Sequence, residues 1–437
     1  MKRFLILALC FLMLLPLGCV RPEGNVTPDG TASPASDTET APTASAEEDG
    51  YCFDYRFTTW GAIMNPGANC IVETDDCIYY LSNGTLWFSD REYKDFMPLC
   101  AKPNCDHNNP ECDAKLFFDE DIHGIWVYGS YIYYIDTNLA PGEEADITHP
   151  SLCRMRLDGS QHEEVMRLPE IEVDYTPEYN TWGYVFSNKY LWVTNSAWRQ
   201  SAAMGGMPDS ASFLIRLDTL KAEPREAVGI GWPIYGIGER IYGFGNRYGE
   251  NGERISAFSE YNFETGEKRI IGDAEGWVYM LEAGYGVSGN EVLYQTLDQE
   301  TGELIVWGMD MDTGENRRIL TGNISNIKWV NYDWTTGCYF KDYRGGRDGG
   351  EQMRPDWGFW MTDLSGNETL VLPYDDYPED FGDSMIFLQT DSYIFAAPSL
   401  DPDRPGYSAA FTVPTWYLDK TELGTDSFGW HKWAPED

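Results

Sequence analysis

The chain has 437 residues, with 71 Asp and Glu against 31 Lys and Arg, a formal net charge of −40. Such a balance argues against nucleic acid and against electrostatic docking on anionic lipid, and favours solubility, cationic partners or tolerance of cations such as calcium. Aromatic residues make up 15% of the chain beside 43 glycines, in short alternating runs that suit an all-β chain rich in turns.

Residues 1–18 read as an export signal. Lys2 and Arg3 precede an apolar run, Phe4 to Leu15, too short for a stable membrane span. The segment closes Leu15-Pro16-Leu17-Gly18-Cys19, a small residue directly before a cysteine. It resembles the lipobox of bacterial lipoproteins, departing from it at Pro16, where Leu is usual. The resemblance implies acylation of Cys19 and an extracytoplasmic protein anchored by lipid to the outer face of the cell membrane. An ordinary cleaved signal with a chance cysteine is the plainer alternative. From Val20 to Gly50 there is no aromatic residue, and Pro, Ser, Thr, Ala, Asp and Glu dominate. Such a composition cannot bury enough apolar surface to offset its ordering entropy, so 19–50 is expected to be a flexible tether.

Residues 51–437 are expected to form one domain built of repeats. The clearest unit is 131–168: an aromatic strand (Ile132, Tyr133, Tyr134, Ile135), a strand alternating through Leu152, Met155 and Leu157, an Asp158-Gly159-Ser160 turn, and a return strand to Leu168. This unit resembles the YWTD-type and TolB-like repeats of β-propellers, which place an Ile-Tyr-aromatic strand ahead of an R-x-x-LDGS hairpin. Second-strand cores recur as IYYL at 78, IYYI at 132, LWVT at 191, IYGF at 241, VLYQ at 292, CYFK at 338 and YIFA at 393. Between them lie turns of one chemistry, at Asn83-Gly84, Asp158-Gly159, Asp218-Thr219, Glu264-Thr265-Gly266, Asp312-Thr313-Gly314, Leu364-Ser365-Gly366 and Asp419-Lys420. Glycine supplies the positive φ that a tight reversal needs and Asp caps the turn. Seven cores predict a seven-bladed propeller of four-stranded blades. Residues 51–62 are expected to complete or brace the C-terminal blade, whose last strand falls near Trp430–Trp433; a separate N-terminal cap is the alternative.

Several segments invite a chemical reading. Gly382-Asp383-Ser384-Met385 has the letters of a serine-hydrolase block but lies outside the strand-to-helix setting which that chemistry requires. The histidines, His107, His123, His149, His162 and His431, show no paired metal spacing. Acidic loops at 119–121 and 375–380 read as solvated carboxylates rather than calcium ligands. Arg344, Arg347 and Arg354 form the one basic cluster, expected to pair with neighbouring carboxylates. Loop tryptophans Trp182, Trp198, Trp232, Trp334 and Trp357 are expected mostly to pack between blades.

The most unusual stretch is Leu99–Ala114, with Cys100, Cys105, His107 and Cys112 spaced C-x4-C-x-H-x4-C. It is similar to cysteine-histidine loops in uncharacterised exported propellers of Gram-positive anaerobes, a resemblance that carries no function. In an exported chain, disulfides among Cys52, Cys70, Cys77, Cys100, Cys105 and Cys112 are the favoured expectation, with Cys153 and Cys338 as buried thiols. A tetrahedral zinc site at Cys100, Cys105, His107 and Cys112 is the alternative. No other cofactor is expected. The functional expectation is a monomeric, lipid-anchored, non-catalytic scaffold binding a glycan, peptide or partner protein. The alternative is an extracytoplasmic glycan or peptide hydrolase or lyase with its site in the central funnel.

Overall fold

A computed structural model describes residues 56–57 and, with breaks in the connections, 71–433. The expected export signal, Cys19, the tether, Cys52, Cys70, Arg344, Arg347, Arg354, Ser384, His123, His149 and the 119–121 loop lie outside the described residues.

Seven antiparallel sheets follow one another along the chain in a ring, each a four-stranded meander. Blade 1 comprises Ile71–Glu73, Cys77–Ser82, Thr85–Asp90 and Phe96–Pro98; blade 2 comprises Ile125–Tyr128, Tyr131–Asp136, Ser151–Arg156 and Glu163–Arg167. Blade 3 comprises Tyr179–Ser187, Tyr190–Trp198, Asp209–Arg216 and Lys221–Arg225; blade 4, Trp232–Ile237, Arg240–Tyr248, Arg254–Asn262 and Lys268–Asp273. Blade 5 comprises Gly286–Ser288, Glu291–Asp298, Glu303–Asp310 and Asn316–Asn323; blade 6, Ile327–Asp333, Cys338–Tyr343, Gly358–Thr362 and Glu368–Pro373. Blade 7 comprises Met385–Gln389, Tyr393–Pro398, Trp416–Asp419 and His431–Lys432. The expected seven-bladed propeller is what forms.

The repeated aromatic cores are the second strands of these blades. They are buried along their length, as at Ile132, Tyr133, Tyr134 and Ile135, because both faces of a blade pack on neighbours. Fourth strands are the outer edge and are largely exposed, as in Glu163–Arg167. Aromatic pairs cross most seams: Trp126 stacks on Phe186 at 5.9 Å, Trp192 meets Tyr261 at 5.3 Å, Phe258 meets Tyr294 at 4.9 Å, and Phe359 meets Trp430 at 5.9 Å. Of the loop tryptophans, only Trp357 has a described side chain; it packs edge-on against Tyr374 at 6.2 Å. The expected turns form, with Asp158 Oδ1 accepting the Ser160 amide at 2.9 Å and Asp310 Oδ1 accepting that of Thr313 at 2.8 Å. Six of them join third to fourth strands, whereas Asn83-Gly84 joins a second to a third strand and so lies at the opposite end of its blade.

The N-terminal expectation needs correction. Arg56–Phe57 is extended, but it pairs with Trp232–Ile237, the first strand of blade 4, in the register Arg56 to Gly236 and Phe57 to Tyr235. Blade 7 already has four strands from its own stretch of chain, with Trp416 opposite Lys432, so it has no missing strand to receive the segment. The first strand of blade 4 offers an unpaired edge, and an extended segment satisfies it. Blades 7 and 1 therefore meet through side chains. Phe96 packs against Phe395 and Trp433 at 6.3 and 5.9 Å, and Trp433 Nε1 donates to Ser89 Oγ at 2.9 Å.

A meander of four strands sends its connections to two ends. First-to-second and third-to-fourth turns share one end and are mostly tight, as at 129–130, 188–189 and 289–290. Second-to-third connections and those leading to the next blade share the other. That end carries the long segments 99–124, 137–150, 199–208, 274–285, 344–357 and 399–415.

Candidate metal centre

Cys100, Cys105, His107 and Cys112 converge: one ligand atom from each lies within 4.8 Å of all the others. It is the one such His/Cys/Asp/Glu group among the described residues. The group sits in the connection from blade 1 to blade 2, at the end of the blades that bears the long segments. Backbone hydrogen bonds clamp the base of this loop to blade 1. The Leu99 amide donates to Leu86 O, the Leu86 amide to Ala114 O, and the Leu116 amide to Gly84 O, each at 2.8 Å. Lys115 bridges to Thr85 in antiparallel fashion, and the Lys115 amide donates to Cys112 O at 3.0 Å. Lys102 pairs with Asp113 at 2.9 Å across the loop.

Local backbone geometry accounts for the convergence. Asn104 and His107 both have left-handed backbones, at φ 61° and 59°. Asn and His enter this region more readily than most side chains, and it reverses the chain within one residue. A histidine two residues after a cysteine reads in sequence as a strained neighbour. The left-handed turn at His107 brings its Nδ1 to 3.4 Å from Cys112 Sγ.

The four groups differ in environment. Burial raises the Cys100 pKa, but the amides of Lys102 and Asp113 and the neighbouring Cys112 and Cys105 thiols outweigh it and hold it below the ordinary thiol value. Cys112 is buried, and its thiol is pushed up to about 11 by that burial. Among the described residues of the loop, Leu99, Ala114 and Leu116 are the buried apolar residues besides Cys112.

The expected disulfides are not seen among the described residues: Cys77, Cys100, Cys105, Cys112, Cys153 and Cys338 are all free thiols. Cys77 lies in the second strand of blade 1, away from the loop cluster, since strand pairing places it opposite Asp90. Cys153 is buried as expected, whereas Cys338 is only partly covered because it opens its strand at the end of a turn.

Among the described residues, the remaining candidates do not assemble into a site. His162 Nδ1 lies 3.2 Å from the Tyr134 hydroxyl, and His431 Nε2 lies 3.0 Å from Glu422 Oε2 on blade 7. Asp375, Asp376 and Glu379 face solvent. Sequence reasoning missed a polar group at the closing seam. Glu73, nearly fully buried, pairs with Arg91 at 3.0 Å and accepts the Ser392 amide at 2.9 Å. It also missed the buried ion pair of Lys420 with Asp333 between blades 7 and 6. No local pattern signals either, because the partners are distant in the chain.

No protein-family model matches the chain, and no curated protein does. Solved structures do. An oligogalacturonate lyase in complex with manganese matches at 12% identity and TM-score 0.38, over 74% of this chain and 82% of that one. An oligogalacturonate lyase from Vibrio parahaemolyticus matches at 9% identity and TM-score 0.39, over 76% and 85%. One of two prolyl endopeptidases matches at 10% identity and TM-score 0.44, over 88% of this chain and 51% of that one.

Proposed function

We propose that the protein is an exported, lipid-anchored propeller that binds a glycan, peptide or partner protein on the face carrying its long connections, without transforming it. The observation that carries this reading is the sorting of connections. Every first-to-second turn is tight, whereas 99–124, 137–150, 199–208, 274–285, 344–357 and 399–415 all leave from the opposite end of the blades. A rigid ring that keeps one end short and elaborates the other has the organisation of a scaffold presenting loops. The charge of −40 sets the partner's complement as neutral or cationic. A tether of some thirty residues at 19–50 gives the ring reach above a membrane surface.

The test uses the full chain displayed on cells and probed with glycan and peptide arrays. Replacing 137–150 or 399–415 by short Gly-Ser links is expected to weaken binding at least about tenfold, a loss of about 1.4 kcal/mol. Changes in the tight turn at 129–130 are expected to leave it intact. Binding that follows the tight turns, or a bound ligand recovered cleaved, defeats the reading. Cys19→Ala is expected to release the protein from the membrane fraction.

A further inference from the structure

We propose that Cys100, Cys105, His107 and Cys112 bind one zinc ion, and that the ion is a structural pin holding the connection between blades 1 and 2. The proposal is independent of what the long-connection face binds. Three thiol sulfurs and one imidazole nitrogen, one from each residue, lie within 4.8 Å of one another. The edge of a tetrahedron around zinc with Zn–S bonds of about 2.3 Å is about 3.8 Å, so the group needs only a small contraction to close on an ion. The 3.4 Å approach of His107 Nδ1 to Cys112 Sγ already lies below that edge.

The donor set selects the metal. Thiolates and imidazole are soft to borderline ligands that favour zinc over calcium, magnesium or manganese, which prefer oxygen. Four protein ligands complete a tetrahedron, the closed arrangement of structural zinc rather than the open one of catalytic zinc. Disulfide bonding suits the same residues less well. One bridge consumes two of the three thiols and leaves the third, with the imidazole, without a bonding role.

What the ion would hold is also visible. Among its described residues the loop has few that are buried and apolar, and the two segments at its base are hydrogen-bonded to blade 1. Its first residue forms part of the seam with blade 2: a Cβ on Gly159 would lie 2.8 Å from Leu99 O. Pinning Cys100 next to Leu99 therefore fixes the surface on which the Asp158-Gly159 turn rests. Thiols that bind release their protons to solvent, so binding is coupled both to pH and to folding of the loop.

The experiment is elemental analysis of the full-length protein purified in detergent without chelator or reductant, with non-reducing peptide mass mapping. About one zinc per chain and reduced Cys100, Cys105 and Cys112 are expected. The protein is then stripped by chelator, reduced and loaded with cobalt(II). A thiolate-to-cobalt charge-transfer band with intense tetrahedral ligand-field bands is expected. His107→Cys is expected to keep the metal, and His107→Ala to weaken it at least about tenfold. If Cys105→Ser fails to fold, the wild-type cobalt spectrum still decides the question. A metal-free chain with a bridge among these cysteines overturns the proposal, as does a weak octahedral cobalt spectrum.

Discussion

The seams between consecutive blades and the seam that closes the ring are built differently. At three inner seams the turn between third and fourth strands presses a glycine on the fourth strand of the preceding blade, or on the residue just after it. Cβ atoms at Gly159, Gly314 and Gly366 would lie 2.8 Å from the carbonyl oxygens of Leu99, Ile271 and Ile319. These glycines have φ of 78°, 71° and 83°, so the sites exclude a side chain both by conformation and by contact. The corresponding turn of blade 1, at 91–95, contains no glycine. It reaches across to blade 7 with side chains instead. Lys94 donates to the Tyr417 hydroxyl at 2.7 Å and lies over its ring at 4.8 Å, and Arg91 joins Glu73 to Ser392 Oγ.

Chain connectivity explains the difference. Consecutive blades follow one another directly along the chain, and at these three seams close backbone contact adds to the aromatic and polar side chains that meet across them. Blades 7 and 1 are joined only around the whole ring, and the logarithmic loop-closure term for roughly 360 residues is about 5 kcal/mol. Directional hydrogen bonds, an ion pair with a buried carboxylate and a shared aromatic cluster of Phe96, Phe395, Tyr417 and Trp433 offset it.

The largest expected effect comes from removing one side of the closing seam. A chain ending at residue 382 lacks all four strands of blade 7 and exposes the partner surface around Phe96. It is expected to show no cooperative thermal transition, with increased binding of a hydrophobic dye. A six-bladed remnant that melts sharply would show that closure contributes little.

Trp433→Ala tests the same seam by one side chain. Trp433 is 6% exposed and contacts Phe96, Phe395 and Tyr417. Its loss is expected to cost about 3–5 kcal/mol in denaturant unfolding, chiefly through the cavity, with the lost hydrogen bond to Ser89 Oγ adding to it. A cost below about 1 kcal/mol would move the closing energy elsewhere.

The inner seams are sharpened by a pair of glycine changes within blade 5. Gly289→Ala meets only the left-handed backbone, with nothing within 4 Å, and is expected to cost about 1 kcal/mol. Gly314→Ala adds a clash with Ile271 O and is expected to cost about 3 kcal/mol. Equal costs would mean that the seam yields without penalty.

The smallest expected effect is on pH. His162 ends the turn that carries Gly159; the residue is exposed overall, and its pKa lies below 6.5 chiefly because the packed side of its ring is desolvated, which disfavours the charged form. Asp113 and the Gly159 backbone act the other way, Lys102 acts with burial, and the Tyr134 hydroxyl lies at Nδ1. A neutral histidine favoured by the fold contributes stability fully above the unfolded value of 6.5, lost as pH falls through the lower folded value. The Tm is therefore expected to decline as pH falls from 6.5 through the lower folded value, and His162→Gln to flatten the decline. An unchanged acid limb in the variant would assign the pH dependence to other groups.

Much of the architecture was legible in the amino-acid order because it rests on local rules. A run such as Ile132–Ile135 can only be a strand buried on both faces, and Asp-Thr-Gly or Asp-Gly can only reverse the chain, so blade number followed from counting. The cysteine-histidine group was legible as residue types within thirteen positions, but its geometry was not. Whether His107 joins the thiols depends on a left-handed backbone at that residue, and spacing alone does not specify it. Ring closure was decided wholly in three dimensions. Glu73 and Ser392 are 319 positions apart, and Ser89 and Trp433 are 344 apart, so no periodicity or motif links them. The pairing of Arg56–Phe57 with blade 4 has the same origin, since an extended segment carries no mark of which open edge it will meet.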